Sequence, residues 1–255
     1  MTTGSTLART VRAEWLRLWS VRSTWVLVTL LALFVAGLGA VAGWDAAGGG
    51  GFDAPSRTAW EDARFTMLFL LFGLVALACV ATAADYGTGG IVPTLQWTPR
   101  RGVLLAARAV VVVGAAVLVA AVLLTVAAAL VAVQVPGLAM PPGAGASTLG
   151  DAALVVGSGA LLGVGLGFLT RSTAGSLVTA VGLLVVLPLV LGNLPYASLK
   201  AVAEHLPGAG AIFVVFGQGM SEDMTLASAR VTLLAWGVGA VTLGGLRLLR
   251  SDAGR

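Results

Sequence analysis

The chain has 255 residues, of which 58% are hydrophobic and only 10% are charged. Soluble domains carry about 25% charged residues, so this composition and the mean hydropathy of +0.99 exclude an ordinary soluble domain. The net charge of +4 does not indicate a nucleic-acid partner, because the arginines border apolar blocks, a pattern typical of the cytoplasmic face of a membrane.

Residues 1–24 are predicted to form a cytoplasmic amphipathic helix. Its apolar residues recur at helical spacing, whereas several arginines lie off that stripe. The residues of the stripe are Leu7, Val11, Trp15, Leu18 and Trp19. Such a helix lies in the membrane interface, with its tryptophans among the headgroups and its arginines toward water and phosphate. A simple topogenic anchor is the alternative.

Six apolar blocks are each long enough to cross a bilayer, which takes about 20 residues per helix. The blocks are residues 25–44, 65–84, 109–133, 152–169, 176–194 and 226–246. They lack the alternating pattern of barrel strands, so we predict helices. The expected fold is a single all-α integral membrane domain over residues 1–255.

The basic residues predict the orientation of these helices. With both termini in the cytoplasm, eleven of the 15 basic residues lie inside, as the positive-inside rule requires. This N-in, C-in arrangement suits a multi-pass protein of the cytoplasmic membrane.

Two features set the end of the chain apart. Pro188 is expected to kink the fifth span, because it removes a backbone donor. In the outer loop, residues 195–225, an apolar piece at 211–216 is too short to cross the membrane. A re-entrant or interfacial segment and an ordinary folded loop both fit that piece.

The segment between the second and third spans, residues 85–108, combines helix breakers with charged and apolar groups. The breakers allow turns and at most a short helical piece. They are Gly87, Gly89, Gly90, Pro93 and Pro99. A loop that only sets topology needs its arginines and little else. The exposed apolar groups therefore favour a docking surface, with a bare topogenic loop as the alternative.

The fourth span carries Gly159, Gly163 and Gly167 at every fourth position, so one helix face allows another backbone to approach closely. Packing within the subunit is the simplest interpretation. A dimer interface and a substrate path are the alternatives.

Several function classes are disfavoured by what the sequence lacks. The spans hold no ionisable residue at mid-depth, which argues against an ion-coupled carrier. The chain has no glycine–lysine pair for a phosphate-binding loop, so it cannot hydrolyse ATP by that route, and energy for any uphill work, including bound ATP-Mg, would have to come from a separate subunit. Ser158 and His205 are the one conceivable nucleophile–base pair, and we expect no catalysis from them. We predict no catalytic residue, metal site or cofactor in this chain.

Three passages resemble the membrane permease subunits of ABC transporters of the ABC-2 (exporter) type found in actinobacteria. They are AEWLRLWSVRSTW at residues 13–25, YGTGGIVPTLQWTPRRGVLLAARA at residues 86–109, and HLPGAGA followed by the basic tail LRLLRSDAGR. Together with the six-span plan, the resemblance covers nearly the whole chain.

The resemblance implies a permease that pairs with a second copy or a paralogue, and with a cytoplasmic ABC ATPase. By this carry-over, residues 85–101 form the ATPase-coupling loop and residues 13–25 form a lever on the membrane surface. The coupling residues are Asp85, Tyr86, Gly87, Thr88, Thr94, Leu95, Pro99, Arg100 and Arg101. The residues of the interfacial helix are Glu14, Trp15, Arg17, Arg22, Ser23 and Trp25.

Two hypotheses follow for function. The first is a permease subunit that exports a substrate by alternating or gated access, energised by its ATPase partner. The second is a non-transporting membrane scaffold or sensor that binds another membrane protein through its glycine face.

Overall fold

A computed structural model describes residues 3–48, 58–97, 100–219 and 223–250. Within these ranges the regular structure is entirely helical and no strand occurs. The helices, in chain order, are α1 (Thr3–Ser20), α2 (Arg22–Ala47), α3 (Ala59–Ala63), α4 (Thr66–Gly87), α5 (Ile91–Trp97), α6 (Arg101–Gln134), α7 (Pro142–Thr170), α8 (Thr173–Val181), α9 (Leu187–Gly192), α10 (Ala197–Glu204), α11 (Pro207–Phe216) and α12 (Leu226–Arg250). A π-helical turn, Gly182–Val186, joins α8 to α9.

Six helical segments in the described ranges are long and apolar enough to cross a membrane. They are α2, α4, α6, α7, the continuous segment Thr173–Gly192, and α12. The prediction of six apolar helices is thus confirmed. The helices extend beyond the apolar blocks, and α6 begins at Arg101 rather than near residue 109. Residues 101–108, predicted as loop, are therefore helical.

The connection between α7 and α8 is short because two consecutive residues form the C-cap of α7 and the N-cap of α8. Arg171 takes a left-handed conformation, φ 57°, and its N–H donates to the carbonyl of Gly167, which ends α7. The side chain of Ser172 then accepts a hydrogen bond from the N–H of Gly175 and caps α8. The chain reverses at this corner without a longer linker.

Helix α7 is the centre of the fold, and its glycines explain how it packs on α4. A Cβ atom added at Gly163 would lie 2.9 Å from the carbonyl oxygen of Val75. One added at Gly167 would lie 2.6 Å from Cβ of Thr82, and Gly159 faces Leu71. The predicted glycine face therefore contacts α4 of the same chain.

The other side of α7 meets α12 at a second stripe of small residues. Gly165 touches the backbone of Ala240, and Gly244 in turn touches the carbonyl of Gly165. A Cβ added at Gly237 would lie 2.8 Å from the carbonyl oxygen of Ser158. Small residues bring the two backbones together, which is how helices gain contact when lipid provides no hydrophobic driving force.

This contact predicts the effect of adding one methyl group. Gly165→Ala places a Cβ against the backbone of α12, so we expect a loss of about 1–3 kcal/mol of stability. Gly114→Ala is the matched control, because a Cβ at that position has no neighbour within 4 Å. The control should be neutral or stabilising by up to about 1 kcal/mol. Thermal unfolding in detergent measures both, and equal shifts for the two variants would contradict the packing described here.

The fifth span is distorted where Pro188 was predicted to bend it. The π-helical turn immediately precedes this proline, and the N–H of Leu187 donates to the carbonyl of Gly182 rather than to that of Leu183. Gly208 of α11 lies directly against the backbone of Leu184, where proline has removed the normal helical donor. The distortion thus coincides with a close helix contact.

Helices α10 and α11 are bent by 74° relative to each other. Most of α11 is buried, including residues Pro207–Ala211, and it packs against α12 and the π-helical turn. The apolar piece predicted at residues 211–216 is the second half of α11. It is a buried element of the fold rather than an exposed loop.

Candidate functional site

Four charged side chains meet at one end of the helices, and we call them the ion cluster: Glu14, Arg17, Asp85 and Arg108. Arg108 donates from Nε and Nη2 to the two carboxylate oxygens of Glu14, each at 3.1 Å. Its Nη2 also lies 2.9 Å from Oδ2 of Asp85. Arg17 Nη1 lies 2.5 Å from Oδ1 of Asp85, and Arg17 Nε lies 3.3 Å from Glu14. Two positive and two negative charges therefore balance.

Arg108 is the centre of the ion cluster and is fully buried, with 0% of its side chain exposed. Its guanidinium carbon lies 5.7 Å from the ring centroid of Phe168 on α7. The Nη1 atom has no hydrogen-bond partner among the described residues. The cost of removing a buried arginine from water must be offset by nearby negative charges. Glu14 and Asp85 supply these charges and allow Arg108 to lie inside the bundle.

The ion cluster joins three helices. Glu14 and Arg17 lie one turn apart on α1, Asp85 belongs to the last turns of α4, and Arg108 lies near the start of α6. Beside the charges, Leu18 of α1 packs against Val111 of α6. The N-terminal helix is therefore fixed to both spans that flank the predicted coupling loop.

Sequence reasoning placed Arg108 in the loop and missed its burial. Arg108 directly precedes the apolar block that was predicted to begin at residue 109, and the boundary of that block was taken as the start of the helix. The sequence did hold a signal at Glu14, which lies three residues after Val11 and four before Leu18. An acid within an apolar stripe predicts a buried charge that needs a partner.

The predicted coupling loop is mostly ordered helix. Asp85, Tyr86 and Gly87 end α4, Thr88 caps it, Thr94 and Leu95 lie on α5, and Arg100 and Arg101 begin α6. Pro99 lies outside the described residues.

Helix α5 begins at a buried residue, and Arg101, which opens α6 beyond it, is bonded to α12. Ile91 is buried, and the hydroxyl of Thr94 donates to the carbonyl of Gly90 at 2.8 Å. Arg101 donates to the carbonyl oxygen of Leu248 in the last turn of α12, at 2.9 Å. Pro93, Gln96 and Arg100 are exposed. The segment thus combines a buried first residue with exposed residues further along it.

The remaining predicted residues of the N-terminal helix lie at the surface, at the corner between α1 and α2. The ring of Trp19 lies 5.8 Å from that of Trp15 and 5.1 Å from that of Trp25. The indole N–H of Trp25 donates to the carbonyl of Trp19 at 2.8 Å. Arg22 and Ser23 are exposed. The corner is therefore held by aromatic contacts, and of the residues predicted for the interfacial helix only Glu14 and Arg17 belong to the ion cluster.

We call the end of the molecule that carries the ion cluster the basic end. Arg247 donates to the carbonyl of Leu169 in the last turn of α7, and the guanidinium carbon of Arg171 lies 5.4 Å from the ring centroid of Tyr86. Cations at the carboxyl ends of helices are favoured by the helix dipole. The arginines of this end thus stabilise the ends of α7 and α12.

A second buried ionic group lies at the opposite end and was also missed. Asp151 of α7 binds Arg64 at 2.5 Å and Arg230 of α12 at 2.9 Å. Arg64 also donates to the carbonyl of Val214 in α11, at 2.9 Å. Asp151 directly precedes the apolar block predicted from residue 152, so block boundaries concealed this charge in the same way.

Ser158 and His205 have separate environments. The hydroxyl of Ser158 donates to the carbonyl of Val155 in its own helix at 3.0 Å. The imidazole Nδ1 of His205 lies 2.8 Å from the carbonyl of Ala201. Across the described ranges, no group of three or more His, Cys, Asp or Glu residues could hold a metal ion.

The six apolar helices indicate a multi-pass, all-α membrane protein, and at each end of these helices a buried charged residue, Arg108 or Asp151, forms ion pairs. A scan against models of protein families finds no match, and a search among curated proteins finds none either.

Proposed function

We propose that the chain is a permease subunit of an ABC-2 type exporter and takes its energy from a separate cytoplasmic ATPase. The ion cluster is the observation that carries this proposal. It fixes α1 to the ends of α4 and α6, the two helices that hold α5 between them. A segment that must receive force from a partner needs such a rigid attachment to the spans.

In this proposal the basic end faces the cytoplasm and both termini lie there. The concentration of arginines at that end supports this orientation through the positive-inside rule. Helix α1 would then lie in the inner interface, where its exposed apolar side chains, among them Leu16 and Trp15, meet lipid.

The coupling step follows from the same contacts. ATP binding would close the ATPase dimer and push α5. Arg101 would pass the movement to α12 through the carbonyl of Leu248, and the ion cluster would pass it to α1 and α6. The spans would have two arrangements. The closed, ATP-bound ATPase would shift the equilibrium toward the arrangement that it binds more tightly, by an amount set by the difference between its two affinities.

The scaffold hypothesis is less well supported, because the glycine face it required is occupied by α4 of the same chain. The second permease copy or paralogue would instead meet exposed apolar surfaces, such as those of α2 and the segment Thr173–Gly192, in each of which most residues of the apolar stretch are not buried.

Two substitutions that make the surface more negative, one on α5 and one at the residue that caps α6, test the docking role. We expect Gln96→Glu together with Arg100→Glu to lower the amount of co-purified ATPase about tenfold, corresponding to about 1.4 kcal/mol of binding free energy. Both side chains are exposed, so the fold should persist. Affinity purification in mild detergent, with identification of bound proteins by mass spectrometry, provides the measurement.

Lys200→Glu is the matched control, because it reverses an exposed charge on α10, remote from α5 in the proposed topology. If the folded double variant co-purifies as much ATPase as the wild type, the assignment of α5 as the docking surface is wrong. Transport by the chain alone in vesicles, with no ATPase required, would refute the proposed function itself.

A further inference from the structure

An apolar groove is open to the surface between α7, α12 and the π-helical turn. Its volume is about 320 Å³, at the lower end of the roughly 300–1,000 Å³ typical of ligand pockets. The walls are hydrocarbon: leucines of α7, Leu183 of the π-helical turn, and residues between Ala235 and Leu243 of α12. No titratable or hydroxyl side chain among the described residues lines it.

The groove follows α12 for about two turns. From Ala235 to Leu243 the helix advances about 12 Å, at roughly 1.5 Å per residue. Gly239 lies midway along this stretch, and a Cβ added there would have no neighbouring atom within 4 Å. The groove therefore has open space beside a residue without a side chain, and its length and apolar walls suit an alkyl chain.

The two ends of the groove differ in charge. Near Leu169 and Leu243, the guanidinium of Arg247 lies one turn further along α12 and donates to the carbonyl of Leu169. Toward the other end, the indole N–H of Trp236 donates to the carbonyl of His205 at 2.7 Å. This hydrogen bond uses the only polar atom of the indole, so the ring contributes apolar carbon atoms to the wall of the groove.

We propose that this groove binds one acyl chain of an anionic phospholipid, with the lipid phosphate beside Arg247. All three walls belong to segments long and apolar enough to cross a membrane, where hydrocarbon tails would surround the opening. The cation at one end selects lipids with net negative charge, because a basic side chain near the membrane surface attracts them. The inference is independent of the exporter proposal.

Trp236 supplies a direct test with the full chain. The protein is reconstituted into vesicles of phosphatidylcholine that contain either phosphatidylglycerol or phosphatidylcholine with brominated acyl chains, since bromine quenches tryptophan fluorescence on contact. The contribution of Trp236 is the difference between each protein and its Trp236→Phe version. We expect the anionic probe to reach half-quenching at about one fifth of the mole fraction needed by the neutral probe. Added salt should reduce this preference.

Variants separate the acyl site from general lipid contact. Gly239→Leu should fill the groove and lower the quenching of Trp236 by both probes. Gly114→Leu places the same side chain on an exposed position of α6 and should leave it unchanged. Arg247→Gln should abolish the preference for the anionic probe, and Arg247→Lys should retain it.

Two results would overturn the proposal. One is equal half-quenching by the two probes, which would exclude selection of anionic lipid; if quenching is also insensitive to Gly239→Leu, Trp236 contacts bulk lipid only. The other is the absence of Trp236 quenching while a Gly239→Cys variant cross-links to a second copy. That outcome would assign the groove to a subunit interface.

Discussion

Replacement of Arg108 by glutamine is expected to destabilise the protein by about 3–5 kcal/mol, because it leaves buried charges without their partner. Glu14 and Asp85 would keep two negative charges close together, with only Arg17 to compensate. Arg17 already donates to Asp85 and to the carbonyl of Ala81. The cost should therefore fall on the attachment of α1 to α4 and α6.

Two measurements check this prediction. Thermal unfolding in detergent gives the overall loss of stability. Limited trypsin digestion after Arg9 and Arg12, both exposed on α1, shows whether α1 detaches from the bundle. We expect cleavage to become faster in Arg108→Gln at temperatures where the spans remain folded.

The controls use the chemistry of the ion cluster. Arg108→Lys keeps the charge but cannot reproduce the paired contact with Glu14, so an intermediate loss is expected. Adding Glu14→Gln to Arg108→Gln removes one orphaned charge and should restore part of the stability, which a double-mutant cycle measures. Arg22→Gln, at an exposed site, should change stability by less than about 0.5 kcal/mol. Unfolding of Arg108→Gln at the wild-type temperature would show that the ion cluster has no stabilising role.

The number and approximate positions of the six spans could be predicted from the sequence, because the length of an apolar block shows directly whether a helix can cross a bilayer. The sequence was not sufficient for the ends of the spans. Helices α6 and α7 continue past their apolar blocks, and the first residues beyond the blocks, Arg108 and Asp151, are the buried charges. Their partners lie far apart in sequence, Glu14 for one and Arg230 for the other, and single-sequence patterns do not reveal such pairing.

The glycines and proline illustrate a different limit. The spacing of Gly159, Gly163 and Gly167 predicted a close helix contact, but the identity of the partner helix required coordinates. Pro188 predicted a distortion in the fifth span, and the structure adds the reason for its place, since Gly208 of α11 packs against the distorted turn. Periodicity therefore located the faces, and tertiary packing decided what they contact.

Substitutions in the two ionic groups should loosen different helices, because each group connects a different set of helices. At the basic end, the ion cluster fastens α1 beside the segment that carries α5. At the opposite end, Asp151 joins α7 to α12 and, through Arg64, to α11. A change at Asp151 should therefore loosen α11 while leaving α1 attached, which gives each group a separate signature.

Asp151→Asn is accordingly expected to cost about 1–3 kcal/mol, because the partly exposed Arg64 and Arg230 would lose the buried carboxylate that lies between them. Hydrogen–deuterium exchange of the α11 amides should become faster. Asp151 holds the Arg64 side chain in place, and Arg64 donates to the carbonyl of Val214 in α11. Arg230→Gln is the control. Its side chain is 44% exposed, so its loss should cost no more than about 1 kcal/mol. If α11 exchanges equally slowly in Asp151→Asn and in the wild type, then α11 is held by apolar packing alone and Asp151 serves only the contact between α7 and α12.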